Sequence, residues 1–87
     1  MDEAKLSNLK ALLDDSYVWP GPYLFKFIVP AIEEQALLSL FSKGEVEKKP
    51  SKKGKYISIS ISIIIKESEE VLEIYRKVSH IKGLISL

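Results

Sequence analysis

Between residues 56 and 66 the chain alternates with a period of two. Ile57, Ile59, Ile61, Ile63 and Ile65 fall on one side; Tyr56, Ser58, Ser60, Ser62 and Ile64 fall on the other. Successive side chains of a β-strand point to opposite faces, so the pattern predicts a strand with one buried and one wet face. β-Branched isoleucine suits that pleated surface, whereas a helix would spread the same residues around its circumference. Residues 23–29 predict a second strand. Lys26 at its centre must face water, which assigns Phe25, Phe27 and Val29 to the core and Leu24 and Ile28 to the side of Lys26. Residues 45–49, with Val46 as their one apolar member, predict a short edge strand closed by Pro50. Charge and proline keep such an edge from sticking to its neighbours. A short closing strand, interrupted by Gly83, is expected within residues 81–87.

Three segments have helical spacing. Leu6, Leu9 and Leu13, with Leu12 beside them, mark an amphipathic helix over residues 2–14. Asp2 and Glu3 suit the positive end of its dipole. So short a helix is marginal alone, so its leucines are expected to dock, on the chain's own sheet in preference to a partner. Pro20, Gly21 and Pro22 then stop it. Pro30 fits the first turn of a second helix. Ile32, Ala36, Leu37, Leu40 and Phe41 are read as that helix's core stripe, and Gly44 as its end. A third helix starts at Glu67 or Ser68, with Ser68 as N-cap and Glu69 and Glu70 in the first turn. Val71, Leu72, Ile74, Tyr75 and Val78 supply its buried side.

The order is a helix followed by β-α-β-β-α-β. Right-handed crossovers place both helices of that unit on one face of the sheet. The predicted fold class is therefore α+β: a ferredoxin-like sandwich with a four-stranded antiparallel sheet, two helices on one face and a short N-terminal helix. A chain of 87 residues makes one domain, with residues 1–16 as the N-terminal helix and 22–87 as the core. Folding at this size buries about 64% of the surface, which leaves little room for an enclosed catalytic cavity.

Composition narrows the chemistry. The absence of cysteine removes thiol catalysis and the common Cys/His zinc sets, and favours a reducing, cytoplasmic setting. His80 sits where a helix ends, a position suited to free carbonyls and the negative dipole end. The pairs Asp14-Asp15, Glu33-Glu34 and Glu69-Glu70 are helix neighbours pointing about 100° apart, so they do not converge on one substrate atom. No catalytic residue, metal or cofactor is expected, and no enzyme. No apolar run reaches transmembrane length, and the N-terminus lacks the basic-then-apolar order of a signal peptide, so no membrane is expected as partner.

Net charge is +1 but unevenly placed: residues 1–42 carry −3 and residues 43–87 carry +4. Most of the excess comes from Lys48, Lys49, Lys52, Lys53 and Lys55. Within this stretch, residues 49–62 read K-P-S-K-K-G-K-Y-I-S-I-S-I-S and resemble the YbeD-like family of small uncharacterised bacterial proteins. In that family a Lys-Pro-Ser-Ser-Lys-Gly-x-Tyr-x-Ser segment leads into the long strand. Lys49, Pro50, Ser51, Lys53, Gly54, Tyr56 and Ser58 match it without a gap. The leucine-bearing N-terminal helix, Phe25-Lys26 and Ile74-Tyr75 extend the likeness. The resemblance implies a ferredoxin-like fold similar to the ACT regulatory domains, and a regulatory role. Lys52 and Lys55 depart from the family, which more often has uncharged polar residues there. Amino-acid-binding ACT domains generally need a glycine after the first strand, and Pro30-Ala31-Ile32 speaks against that binding mode.

The expected function is that of a non-enzymatic regulatory or adaptor domain. It would bind a protein partner or a small acidic ligand through the open sheet face and the lysine hairpin. Gly54 permits the turn, Lys52 and Lys53 offer charge, Tyr56 and Lys26 make an amphipathic patch, and Ser58 begins a ladder of small hydroxyls. Those hydroxyls either let a flat partner approach closely or keep an isoleucine-rich strand soluble. A homodimer, if formed, would use helices, the sheet face or the last strand. The alternative is a single-stranded nucleic-acid module, because lysines beside an aromatic on such a sheet are similar to RNA-recognition modules. Those modules stack bases on two or three aromatics. Serines stand at the corresponding places here, so this alternative ranks second.

Overall fold

The isoleucine strand forms as its alternation dictates and runs through the middle of the sheet. The computed structural model describes residues 3–87, so Asp2 lies outside the described residues. In chain order the elements are α1 (Glu3–Ser16), β1 (Gly21–Pro30), a 3₁₀ turn (Ala31–Glu33), α2 (Glu34–Leu38), β2 (Glu45–Pro50), β3 (Tyr56–Ile65), α3 (Ser68–Val78) and β4 (Ile85–Ser86). The strands lie in the order β2-β3-β1-β4, every neighbouring pair antiparallel. This is the α+β ferredoxin-like arrangement expected from the element order.

Ile57, Ile59, Ile61 and Ile65 point inward with Phe25, Phe27 and Val29 of β1. Phe25 is fully buried at the centre, its ring 6.0 Å from Phe27, 5.7 Å from Phe41 and 5.5 Å from Tyr75. Val71, Leu72, Tyr75 and Val78 of α3 close this layer, as the sequence predicts. α1 docks on its own chain, beside α3 on the buried side of the sheet: Leu6 and Leu13 join the same core, while Leu12 stays 63% exposed. Arg76 of α3 reaches back to Glu3 at 3.2 Å and also pairs with Glu69 and Glu73.

The second helix departs from its predicted form. It is a 3₁₀ turn followed by five helical residues, with Ile32 90% exposed and Ala36 exposed instead of buried. The Ala31 N–H is taken by the Lys55 carbonyl at 2.9 Å, which ties the start of the crossover to the hairpin. Two i→i+3 bonds then tighten the chain after Leu38, from Leu40 N–H to Leu37 and from Phe41 N–H to Leu38. This tighter path takes Leu37 and Phe41 to the core and leaves Ile32 outside. Gly44 does not end the helix; it leads into β2 with φ 120°, and a Cβ there would stand 2.9 Å from the Ser62 carbonyl oxygen.

Ser68 is likewise not the N-cap. Glu67 holds that position without a side-chain bond, and Ser68 is the first helical residue, buried, with its hydroxyl accepting from Lys10 Nζ at 3.4 Å. The Glu70 carboxylate instead accepts from the Lys66 N–H just outside the helix. The last strand is shorter than its seven-residue window. It is confined to Ile85 and Ser86, with one more backbone bond from Leu87 N–H to the Lys26 carbonyl.

Candidate interaction face

Pairing register assembles the wet side of the sheet row by row. Ser62 lies between Glu45 of β2 and Leu24 of β1, and Ser60 between Glu47 and Lys26. Ser58 lies between Lys49 and Ile28, with Ile85 of β4 beyond. Tyr56 stands opposite Pro30 at one end, and Ile64 opposite Pro22 at the other. The three serines are half-buried among these longer neighbours and form the floor of a shallow channel. Around it Leu24, Tyr56, Ile64 and Ile85 remain between 48% and 60% exposed. Leu24 and Ile64 lie towards one end of this face and Tyr56 and Ile85 towards the other, with the row of Glu47, Ser60 and Lys26 between them.

The hairpin between β2 and β3 follows at the Tyr56 end of this face. Its Ser51 N–H donates to the Tyr56 carbonyl at 2.9 Å, the Gly54 N–H to the Ser51 carbonyl at 3.0 Å, and the Tyr56 N–H to Ser51 Oγ at 3.3 Å. Gly54 has φ 73°, in the left-handed region that glycine enters without a Cβ penalty. An added Cβ would meet nothing within 4 Å, so the demand there is conformational alone. Lys52, Lys53 and Lys55 are all exposed at this tip.

Of the residues singled out in the sequence, Lys26, Tyr56 and Ser58 share the open face, and Lys52, Lys53 and Gly54 flank Tyr56 at the hairpin. Lys26 is set apart. It pairs with Ser60, four residues along β3 from Tyr56, which is about 13 Å at the rise of a strand. Lys48 leaves the basic cluster altogether, because it lies on the helix side of β2 and binds Glu34 at 2.7 Å. Sequence reading missed Glu45, Glu47 and Lys49 as members of this face. Their period-two spacing was the available signal, but with Val46 as the only apolar residue it does not say which side is which.

The perturbed titratable groups lie on the opposite, helix side. Burial pushes the Tyr23 phenol well above its usual range, helped by the Tyr75 hydroxyl 3.2 Å away. The Ser68 hydroxyl holds the Asp14 carboxyl below its ordinary value, with Trp19 Nε1 at 3.3 Å and Lys10 adding to the effect. The carboxylate of Glu69, followed by those of Glu3 and Glu73, raises the Arg76 guanidinium further above its already high value. Of these, the contacts of Asp14 and the Arg76–Glu3 pair fasten α1 to the body of the fold. Among the described residues no group of three or more His, Asp or Glu side chains is placed to hold a metal ion.

A family model described as Protein of unknown function (DUF493) matches residues 21–86, from the first residue of β1 into β4. The chain belongs to this family. It is the family of the YbeD-like proteins, so the DUF493 match bears out the resemblance carried by the hairpin segment. The DUF493 segment contains every strand and the whole open face, and leaves α1 outside. No curated protein and no solved structure matches the chain.

Proposed function

We propose that this chain is a non-enzymatic regulatory or adaptor domain of the cytoplasm, similar to the ACT domains. It recognises a protein partner or a small acidic ligand through the open sheet face and its lysine hairpin. One observation carries the reading: half-exposed Leu24, Tyr56, Ile64 and Ile85 surround a serine floor beside three exposed lysines, while Leu6 and Leu13 of α1 pack into the core on the other side of the sheet. Apolar area supplies attraction, and the lysines supply orientation and selection for negative charge. The face carries serines and carboxylates but no histidine, which is consistent with binding and not acyl transfer. A cytoplasmic setting is supported by the lack of cysteine and, among the described residues, of any helix long and apolar enough to cross a membrane.

Capture of partners from a source lysate tests the proposal. The wild type should retain partners that Lys53→Glu combined with Tyr56→Ala loses; equal recovery by both proteins would reject the hairpin as the recognition element. The nucleic-acid reading draws on Tyr56, 48% exposed beside the lysines. Against it, Glu45 and Glu47 share the face, and Lys48 is committed to Glu34. Titration with single-stranded RNA at two salt concentrations separates the readings, since each lysine–phosphate contact adds about −0.7 to the salt slope. Absence of binding at low salt eliminates it.

A further inference from the structure

We propose that the partner seated on the open face is a second copy of this chain, stacked sheet to sheet about a two-fold axis running across the strands. The inference rests on the reading that this face is a recognition surface, and it names the occupant.

The argument is charge complementarity. Along β2 the open face is acidic at one end, with Glu45 and Glu47, and basic at the other, with Lys49 leading to Lys52, Lys53 and Lys55. A strand whose two ends differ in sign becomes complementary to itself when one copy is turned end for end, and on β1 the same turn lays the Lys26 stem over Ile28 of the other copy. An axis between the Ser58 and Ser60 rows sets Glu47 of each copy over Lys49 of the other, so the contact occurs twice. The same operation brings Glu45 towards the opposite hairpin and Tyr56 over the Ser62 row, where a small side chain leaves room for a ring. Serine then stacks on serine along the middle. Sheets pack about 10 Å apart with nearly aligned strands, and small hydroxymethyl groups allow that approach. The other dyad in this plane, along the strands, would match Glu47 with Lys26 but would set the two lysine hairpins side by side. Like charges there oppose it.

Size sets the strength. At a strand spacing of about 4.8 Å and a rise of about 3.4 Å, the face measures at most about 19 by 27 Å, roughly 500 Å² per copy. Specific interfaces bury about 800 Å² per partner, so the dimer is small and forms reversibly with concentration.

Sedimentation velocity over a wide concentration range tests this at low and high salt, with circular dichroism confirming that each variant is folded. The wild type should shift from monomer to dimer as concentration rises, and less so at high salt. Glu47→Lys alone and Lys49→Glu alone should each weaken association about tenfold, as expected for two exposed ion pairs turned repulsive. The double variant E47K/K49E should restore it, and Lys77→Glu on α3 should leave it unchanged. A dimer that the single reversals do not weaken, or that the double variant does not rescue, overturns the proposal. So does a monomer at every concentration. If that monomer still captures partners through Lys53 and Tyr56, the recognition face stands without self-association; if it captures none through them, both readings fall.

Discussion

Tyr23 shows how a single position in the strand pattern acquires chemistry that the pattern does not announce. Alternation along β1 sends it inward, and its hydroxyl then lies 3.2 Å from that of Tyr75, with its ring 4.8 Å from Phe25. The folded-state pKa is raised above the ordinary value of 10.0, mainly by burial. In the unfolded chain Tyr23 loses its proton first, so the folded state holds more protons above that pH. The stabilisation is therefore complete below pH 10.0 and is lost as pH rises through the folded-state value. Urea denaturation at a series of alkaline pH values should show a loss of stability that is smaller in Tyr23→Phe. Equal slopes in the two proteins would show that the group does not titrate differently on folding. Side-chain direction was legible for Tyr56 to Ile65 and for Lys26, because a buried apolar set fixes which side is which. Glu45, Glu47 and Lys49 lacked such a set, and only pairing with β3 places them on the open face.

At the scale of elements, helical spacing located α1 but not its neighbour. Leu6 and Leu13 would serve any apolar surface; what selects α3 is the added reach of Arg76 to Glu3 and of Lys10 to Ser68. Exposed ion pairs are worth little each, so the leucines carry the docking energy and the charges set its register. Leu6→Ala should cost about 2–5 kcal/mol of unfolding free energy, the usual range for emptying a buried leucine site. Leu12→Ala, at a 63% exposed position, should stay within about 0.5 kcal/mol. Chemical denaturation measures both. Similar losses at the two positions would mean that α1 contributes no specific packing. The form of α2 is hidden from the sequence for a related reason. A stripe from Ile32 to Phe41 satisfies helical spacing, yet spacing does not reveal that the hairpin carbonyl of Lys55 holds the Ala31 N–H and that 3₁₀-type turns follow Leu38.

For the molecule as a whole, the consequence is a sheet with its helices on one side and a graded stability across its width. β1 and β3 are paired over ten residue positions, β2 over six, and β4 over two. Backbone groups held in the long central ladder open only with the whole fold, while short margins open locally. Hydrogen exchange should therefore give the slowest amides in the paired centre of β1 and β3, and much faster exchange at Ser86, Leu87 and residues 52–55. Slow exchange throughout β4 would contradict this ordering. The gradient bears on the open face, whose floor of Ser58, Ser60 and Ser62 is fixed to the core through the buried isoleucines between them. Its rim is held by fewer bonds, since the lysine turn rests on Ser51 and on the Lys55 carbonyl's bond to Ala31, and Ile85 on a two-residue strand. An occupant of this face meets a rigid base and orders a yielding edge. Binding should thus slow exchange at residues 51–56 and at Ser86 far more than at Ile59 or Ile61. Protection confined to the helix side, around α1 and α3, would place recognition on the other surface of the protein.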